Sequence, residues 1–298
     1  MHRDEVDIDL ALVTRLVASQ FPRWSGMACK EVDSAGTDNA MFRLGHQMVI
    51  RLPRIASAER GIEKEIAWLP RLAPHIPFQI PEVLGVGEPG DGYRFRWAIY
   101  TWLVGEEPTP RVASSKQLAT DLAEFVLALR DMQVRDGAGE TLPGSYRGGS
   151  LADRDALTRA AIIGSAGLID TSAATEVWES AIQLPEYRSP RRWFHGDIKP
   201  DNLLTERDRL TGIIDFGCLA VGDPAVDQIV AWNLLTRESR SVFRDLLAAD
   251  EDTWARGRAW ALTIGLLQLP YYKESNPRLA QVSKYQIGEL IADYRSRL

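Results

Sequence analysis

Trp193-Phe194-His195-Gly196-Asp197-Ile198-Lys199-Pro200-Asp201-Asn202-Leu203-Leu204, followed by Gly212-Ile213-Ile214-Asp215-Phe216-Gly217, is the stretch that decides how this chain reads. Residues 203–205 and 210–214 are short strand-like runs joined by a polar turn over 206–209, the pattern of a β-hairpin. Asn202 precedes the first strand and Asp215 follows the second. The open ends of a hairpin are neighbours in space, so this order predicts that an amide oxygen and a carboxylate converge. Asp197 stands five residues before Asn202, in a loop turned by Gly196 and Pro200. Its carboxylate can therefore face the same space.

Two hard oxygens in that position suit Mg²⁺, which keeps most of its octahedron for water and substrate phosphate and needs few protein ligands. Asp197 then suits a base that orients an attacking hydroxyl. Phosphoryl transfer asks a protein chiefly for positioning and for neutralisation of charge. His195 reads as a residue that holds the loop through its ring nitrogens, because no second His or Cys stands near it to form a metal or nucleophile pair. Asp227 reads as a structural carboxylate accepting hydrogen bonds from the backbone of the same loop.

Outward from this stretch the order of elements sets the fold class. A helix is predicted over 9–20, with Leu12, Val13, Leu16 and Val17 on one face and Pro22 closing it. Short runs at 29–33, 40–44 and 47–52, separated by Gly36 and Gly45, predict consecutive antiparallel strands. Ser57 is placed to cap a second helix that ends at Leu69, where Pro70 follows. Strands are predicted at 83–86 and 95–101. From Gly105 onward the pattern is mostly helical, beginning with 115–132, while 136–149 is a long Gly-rich loop. Near the C-terminus, Asn276 and Pro277 are placed to start a last helix. The expectation is an α+β chain: a small antiparallel sheet lobe with one main helix over 1–103, a larger, mostly helical lobe over 104–298, and the active site between them.

The first lobe carries candidates for a nucleotide. The loop Ser34-Ala35-Gly36-Thr37-Asp38-Asn39 can lay backbone amides over phosphates. Arg51 interrupts the apolar run Val49-Ile50-Arg51-Leu52 and offers a cation to those phosphates. On the next helix Glu65 falls between Ile62 and Leu69 on the apolar face. An unpaired buried carboxylate would cost several kcal/mol, so an Arg51–Glu65 ion pair is expected. Tyr100-Thr101-Trp102-Leu103 would form the crossover between lobes, where backbone groups can read a base edge.

At these residues the chain resembles the aminoglycoside phosphotransferase family, within the wider set of protein-kinase-like small-molecule phosphotransferases. The motifs that carry the resemblance are His195-Gly196-Asp197 with Asn202, Asp215-Phe216-Gly217, and Gly222-Asp223-Pro224 with Asp227. It implies a protein-kinase-like two-lobed fold in which Asp197 is the catalytic base and Asn202 and Asp215 hold Mg²⁺. It also implies that Arg51 contacts the phosphates of ATP or GTP, that Glu65 orients Arg51, and that Thr101 and Leu103 contact the base through their backbones. Tyr100 would guard the back of the base pocket and bear on the choice between ATP and GTP. Most of the wider set has Lys where Arg51 stands, and the two cations differ in reach and geometry. The loop at Gly36 lacks the multiple glycines of protein kinases.

The implied activity is transfer of the γ-phosphoryl group to a hydroxyl of a small molecule. Only four residues separate Gly217 from Gly222, which leaves no room there for a peptide-docking segment. An aminoglycoside acceptor, and with it antibiotic resistance, rests on the resemblance alone; macrolides and other hydroxylated metabolites are alternatives. A different class of function is a nucleotide-binding sensor without turnover, which the intact Asp197, Asn202 and Asp215 argue against.

Composition bounds the remaining classes. The chain has 298 residues, 45% of them apolar and 26% charged, ordinary values for a globular protein. With 41 acidic and 35 basic residues the formal charge is −6. That gives no footprint for a nucleic-acid partner and is compatible with a cationic small molecule. Cys29 and Cys218 cannot form a disulfide framework, the acidic N-terminus does not read as a signal peptide, and the apolar run 260–269 is too short to span a bilayer. A cytoplasmic chain with no membrane partner is expected. Asp250, Glu251 and Asp252 read as caps of the helix that follows, and Trp232, Trp254, Trp260, Tyr271 and Tyr272 read as core.

Overall fold

The computed structural model describes residues 5–32, 38–134 and 143–296. Backbone contacts divide the chain into two units, Met1–Gly105 with Gly212–Gly217, and Glu106–Thr211 with Cys218–Leu298. The mixed α+β class expected from the sequence is observed, with an antiparallel sheet in the first unit and a mostly helical second unit.

The first unit opens with α1 (Leu10–Gln20), whose first turn is capped by Asp9, the Oδ1 atom accepting from Leu12 N at 2.7 Å. The five strands β1 (Cys29–Glu31), β2 (Asn39–Leu44), β3 (Met48–Pro53), β4 (Val83–Gly87) and β5 (Trp97–Thr101) form one sheet in the order β1-β2-β3-β5-β4. Every neighbouring pair is antiparallel. Gly45, at φ +59°, makes the left-handed turn between β2 and β3. Side chains alternate across the strands. Val13, Leu16, Phe42, Ile50, Leu52, Trp97 and Ile99 share one core on the α1 side. Arg51 and Tyr100, one residue out of step with Ile50 and Ile99, therefore project from the opposite face.

The helix that meets that opposite face is α2 (Ala56–Leu72), lying between β3 and β4 in the chain. Two expectations are corrected here. Ser57 is not the cap: the helix starts one residue earlier, after Ile55, with no side-chain cap bond. Nor does Pro70 end it, for Pro70 lies inside the helix, which continues to Leu72. A proline in the last turn removes a single N–H from the helical ladder. Leu69 and Leu72 are both buried, and keeping that turn helical keeps both on the packed face.

The second unit contains α3 (Pro110–Ala113), α4 (Lys116–Asp131), α5 (Asp155–Gly164), α6 (Thr171–Ile182), α7 (Val230–Asn233), α8 (Arg237–Leu246), α9 (Glu251–Tyr272) and α10 (Pro277–Arg295). Ser115 caps α4, and Leu118, Leu122, Phe125, Val126 and Leu129 are its buried stripe. Helix α9 is buried around most of its circumference and packs against α5, α6 and α10. Its cap is Asp250, which accepts from Thr253 N at 2.7 Å. Trp232, Trp254 and Trp260 are fully buried, whereas Tyr271 is exposed. The core reading fails for Tyr271 in the last turn of α9, and Tyr272 beside it is only half-buried, the two rings meeting edge-on. Asn276 caps α10 with Pro277 in the first turn, as its sequence predicts.

Two short ribbons complete the chain. The strands β6 (Arg192–Phe194) and β9 (Ala220–Gly222) pair antiparallel, and β7 (Leu203–Glu206) pairs with β8 (Arg209–Ile213) as the expected hairpin. Within the first unit, Ile213 N at the end of β8 donates to Gln79 O at 2.9 Å. No helix among the described residues is long and apolar enough to cross a membrane.

Gly87 is the position where the sheet has least room. It pairs with Trp97 on β5, and a Cβ there would lie 2.0 Å from the indole. The ring is fully buried and meets Phe21 edge-on. Gly87→Ala must push that ring off its site, and a loss of about 1–3 kcal/mol in unfolding free energy is expected. Denaturant unfolding of the variant against the wild type checks it, and an unchanged midpoint would show that Trp97 does not fill that space.

Candidate active site

The first unit holds a charged cluster built from β3, β5, α2 and the segment Asp215–Gly217. Glu65 projects from α2 toward Arg51 and is 1% exposed. Its Oε1 accepts from Arg51 Nη1 at 2.8 Å and from Phe216 N at 2.8 Å, and its Oε2 accepts from Tyr100 Oη at 2.8 Å. Burial pushes the Glu65 carboxyl up, and the Arg51 guanidinium with the two further donors opposes that shift. Arg51 uses a second nitrogen, Nη2, to reach Asp215 Oδ1 at 2.8 Å. With its amide oxygen turned toward Arg51, Asn39 accepts from Nη2 at 3.2 Å and Nε at 3.3 Å.

Asp215 holds this position with a left-handed backbone, φ +64°. Such conformations are unfavourable for a residue with a Cβ and persist where surrounding contacts impose them. Here α2 supplies those contacts. Besides the Glu65 bond to Phe216 N, Lys64 Nζ donates to Gly217 O at 3.0 Å, and Gly61 faces the Gly217 backbone.

In the second unit the loop between β6 and β7 is fixed from beneath by another buried carboxylate. Asp227 accepts from His195 N at 2.8 Å and from Gly196 N at 2.7 Å. Gly196 takes φ +82°, and a Cβ would lie 2.8 Å from Cys218 O, so the turn needs a glycine. His195 is fully buried, and its Nδ1 accepts from Asp197 N at 3.2 Å. Asn202 Nδ2 donates to Asp197 O at 2.9 Å and lies 3.3 Å from Asp197 Oδ2. Asn233 Nδ2 donates to Ile198 O at 2.9 Å. The Asp197 carboxylate is thus displayed on a loop whose backbone is bonded at almost every residue. Arg147 Nη1 meets its Oδ1 at 2.5 Å, and Lys199 Nζ stands 3.8 Å from its Oδ2.

A model of the phosphotransferase enzyme family, APH, matches residues 31–260, more than half of the chain. The chain belongs to that family. Among solved structures, aminoglycoside 2'-phosphotransferase-IIIa in its GDP complex is 22% identical, covers 96% of this chain and 100% of its own, and superposes with a TM-score of 0.77. The streptomycin and ATP ternary complex of APH(2'')-IIa is 19% identical over 94% of this chain and 95% of its own, with a TM-score of 0.64. Macrolide 2'-phosphotransferase type I is 15% identical over 95% and 98%, with a TM-score of 0.65. At these identities the likeness is one of fold. No curated protein sequence matches the chain.

The phosphotransferase therefore carries the residues singled out from its sequence in two groups. Arg51, Glu65 and Asp215 meet in the first unit; His195, Asp197 and Asn202 meet in the second. Thr101 commits its N–H to Glu82 O at 2.9 Å. Leu103 lies two residues beyond β5. Gly36 lies outside the described residues. Tyr100, expected to guard a base pocket, is buried with its hydroxyl on Glu65. Arg147, Asn233 and Lys64 were not singled out in the sequence. Arg147 has no periodicity or motif around it, Asn233 lies in an apolar run that reads as core, and Lys64 reads as one more charge on an exposed helical face.

Two outcomes follow from the buried carboxylates. Glu65→Gln loses one acceptor and leaves Arg51 with Asp215 as its remaining carboxylate partner, so a loss of about 1–3 kcal/mol is expected, measured by denaturant unfolding. Burial lifts the Asp227 carboxyl to about 7, against the bonds it receives from Gly196 and His195. The folded value lies above the unfolded value of about 3.9, so the contribution of Asp227 is full below about pH 4 and fades as pH rises through about 7. The stability gap between the wild type and Asp227→Asn should narrow over that range, and a gap that widens with pH in thermal melts would reverse the assignment.

Proposed function

We propose that this phosphotransferase moves the γ-phosphoryl group of a nucleoside triphosphate, ATP or GTP, to a hydroxyl of a small molecule. The observation that carries the reading is the Asp197 carboxylate, displayed on a loop pinned by Asp227, Asn202 and Asn233, in a chain of this family. Relatives with the fold have been seen with GDP and with ATP, which supports the donor class. Others act on aminoglycosides or macrolides by name, which supports a hydroxylated, polyfunctional acceptor.

In this reading Asp197 receives the acceptor's hydroxyl and orients it in line with the γ-phosphorus. His195 keeps the loop in register through the bond from Asp197 N to its Nδ1. Arg51, positioned by Glu65, presents a guanidinium to the donor's phosphates. Its resting partner Asp215 keeps that cation from swinging away. The carbonyl of Thr101 and the backbone of Leu103 are the groups offered to the base. Gly36 belongs to the loop assigned to phosphate cover.

Asn202 and Asp215 each have the oxygen donor chemistry that Mg²⁺ takes. Asn202 spends its amide nitrogen on Asp197 O, which presents the oxygen as the atom for a ligand, and Asp215 offers a partly exposed carboxylate. When bound, the ion would neutralise charge on the donor's phosphates. The acidic run at the start of α9 does not commit the acceptor to a cation, since Asp250 caps the helix and Glu251 accepts from Arg244 Nη2 at 2.5 Å.

Asp197→Ala is expected to lower turnover by at least about 100-fold while nucleotide affinity stays within about threefold. Transfer from radiolabelled ATP and GTP to a panel of aminoglycosides, macrolides and amino alcohols measures it. Turnover of the variant near the wild-type rate would overturn the mechanism. Nucleotide binding by the wild type with no acceptor phosphorylated and no nucleotide hydrolysed would favour a sensor.

A further inference from the structure

The assignment of Asp197 as base leaves open what holds its carboxylate; Lys199 Nζ stands off at 3.8 Å, and the cation in direct contact is Arg147. Arg147 comes from the segment that precedes α5, far from Asp197 in sequence, and its side chain is 9% exposed. Its Nη1 donates both to Asp197 Oδ1 at 2.5 Å and to Gly196 O, and its Nε donates to Tyr146 Oη at 3.1 Å. One guanidinium thus grips the side chain of the base and the backbone just before it.

The segment that delivers Arg147 is itself built into the base of the loop. Gly148, at φ +72°, leaves a space filled by the Phe194 ring, where a Cβ would approach to 2.5 Å. Its carbonyl accepts from Asp223 N at 2.8 Å, and Asp223 Oδ2 in turn accepts from Arg256 Nε at 2.7 Å. Ser145 Oγ accepts from Arg147 N at 3.1 Å. A surface arginine reaching over by chance would have no such anchorage on either side.

We propose that Arg147 is a positioning residue for phosphoryl transfer: by holding Oδ1 of Asp197 while Asn202 Nδ2 meets Oδ2 at 3.3 Å, it restricts rotation of the carboxylate and directs Oδ2 to the acceptor's proton. This rests on the reading of Asp197 as base. In the step, the acceptor O–H bond breaks and its proton passes to Oδ2. The new P–O bond forms while the bond from the γ-phosphorus to its bridging oxygen breaks, the electron pair leaving on the nucleoside diphosphate. A guanidinium suits the task better than an ammonium because Nε anchors it on Tyr146 Oη while Nη1 serves Asp197 and Gly196, so the planar group has a set orientation as well as a charge.

The pairing is tested first without turnover. Unfolding midpoints of Arg147→Ala, Asp197→Ala and the double variant should be non-additive, and additivity overturns the proposal. Turnover is then read with ATP and GTP against kanamycin, erythromycin and water as acceptors. Arg147→Ala should lose on the order of 100-fold in kcat, with acceptor KM and nucleotide Kd within about threefold, and methylguanidinium should restore about tenfold. Arg147→Lys, which keeps the charge but not the fork, should show the same kcat-only loss, and it carries the test if the alanine variant does not fold. Arg147→Ala or Arg147→Lys with kcat within about threefold of wild type, or with the loss wholly in KM, overturns the role of Arg147 while leaving Asp197 as base. A wild-type protein that transfers phosphate to none of the three acceptors removes the phosphotransfer reading, and the role of Arg147 falls with it.

Discussion

A carboxylate taken out of water must be supplied with donors, and that requirement organises both halves of this phosphotransferase. Glu65 in the first unit and Asp227 in the second are each 1% exposed. Each spends its acceptor capacity on backbone N–H groups of a functional segment: Phe216 for Glu65, His195 and Gly196 for Asp227. Desolvation alone would neutralise both groups, and the donors arrayed around them are what the folded chain offers in return. Neither carboxylate is presented to solvent. The acids that are presented adjoin the segments so fixed: Asp215 directly precedes Phe216, and Asp197 directly follows Gly196.

This division of labour explains why the two motif segments tolerate unfavourable backbone geometry. Asp215 and Gly196 both have positive φ, and each stands beside a residue whose N–H is held by a buried acid or is itself so held. The strain is local and the restraint comes from a neighbouring element: α2 for Asp215–Gly217, the turn at Asp227 for His195–Asp197. Packing then supports the restraint. Glu65 shares its helix face with Ile62, Leu69 and Leu72, and Asp227 sits in a turn buried throughout against α9.

Much of this was legible in the amino-acid order. Glu65 stood out because a carboxylate at a core position of an amphipathic helix needs a partner, and Arg51 was the cation one strand away; the pair is present at 2.8 Å. The hairpin was legible because its strands are short and joined by a polar turn, and the caps Asp250 and Asn276 because side-chain acceptors precede their helices. Less visible were contacts that depend on tertiary approach. Arg147 reaches Asp197 across 50 residues, and nothing in Gly144-Ser145-Tyr146-Arg147-Gly148 marks it off from any polar loop. The Tyr100 hydroxyl was hidden because its position in a strand predicts the face it takes but not the donor it supplies. Pro70 misled because burial of Leu69 and Leu72 outweighs one missing N–H at a helix end.

The use of arginine at position 51 bears on how this site can drift. Its guanidinium serves Glu65 with one nitrogen, Asp215 with another, and faces the Asn39 oxygen with Nη2 and Nε. An ammonium at the end of a lysine gathers its donors at one atom and cannot span carboxylates that approach from separate sides. Exchange of Arg51 for lysine would therefore strand Asn39 or Asp215. One planar group thus ties together positions 39, 65 and 215, which lie far apart along the chain.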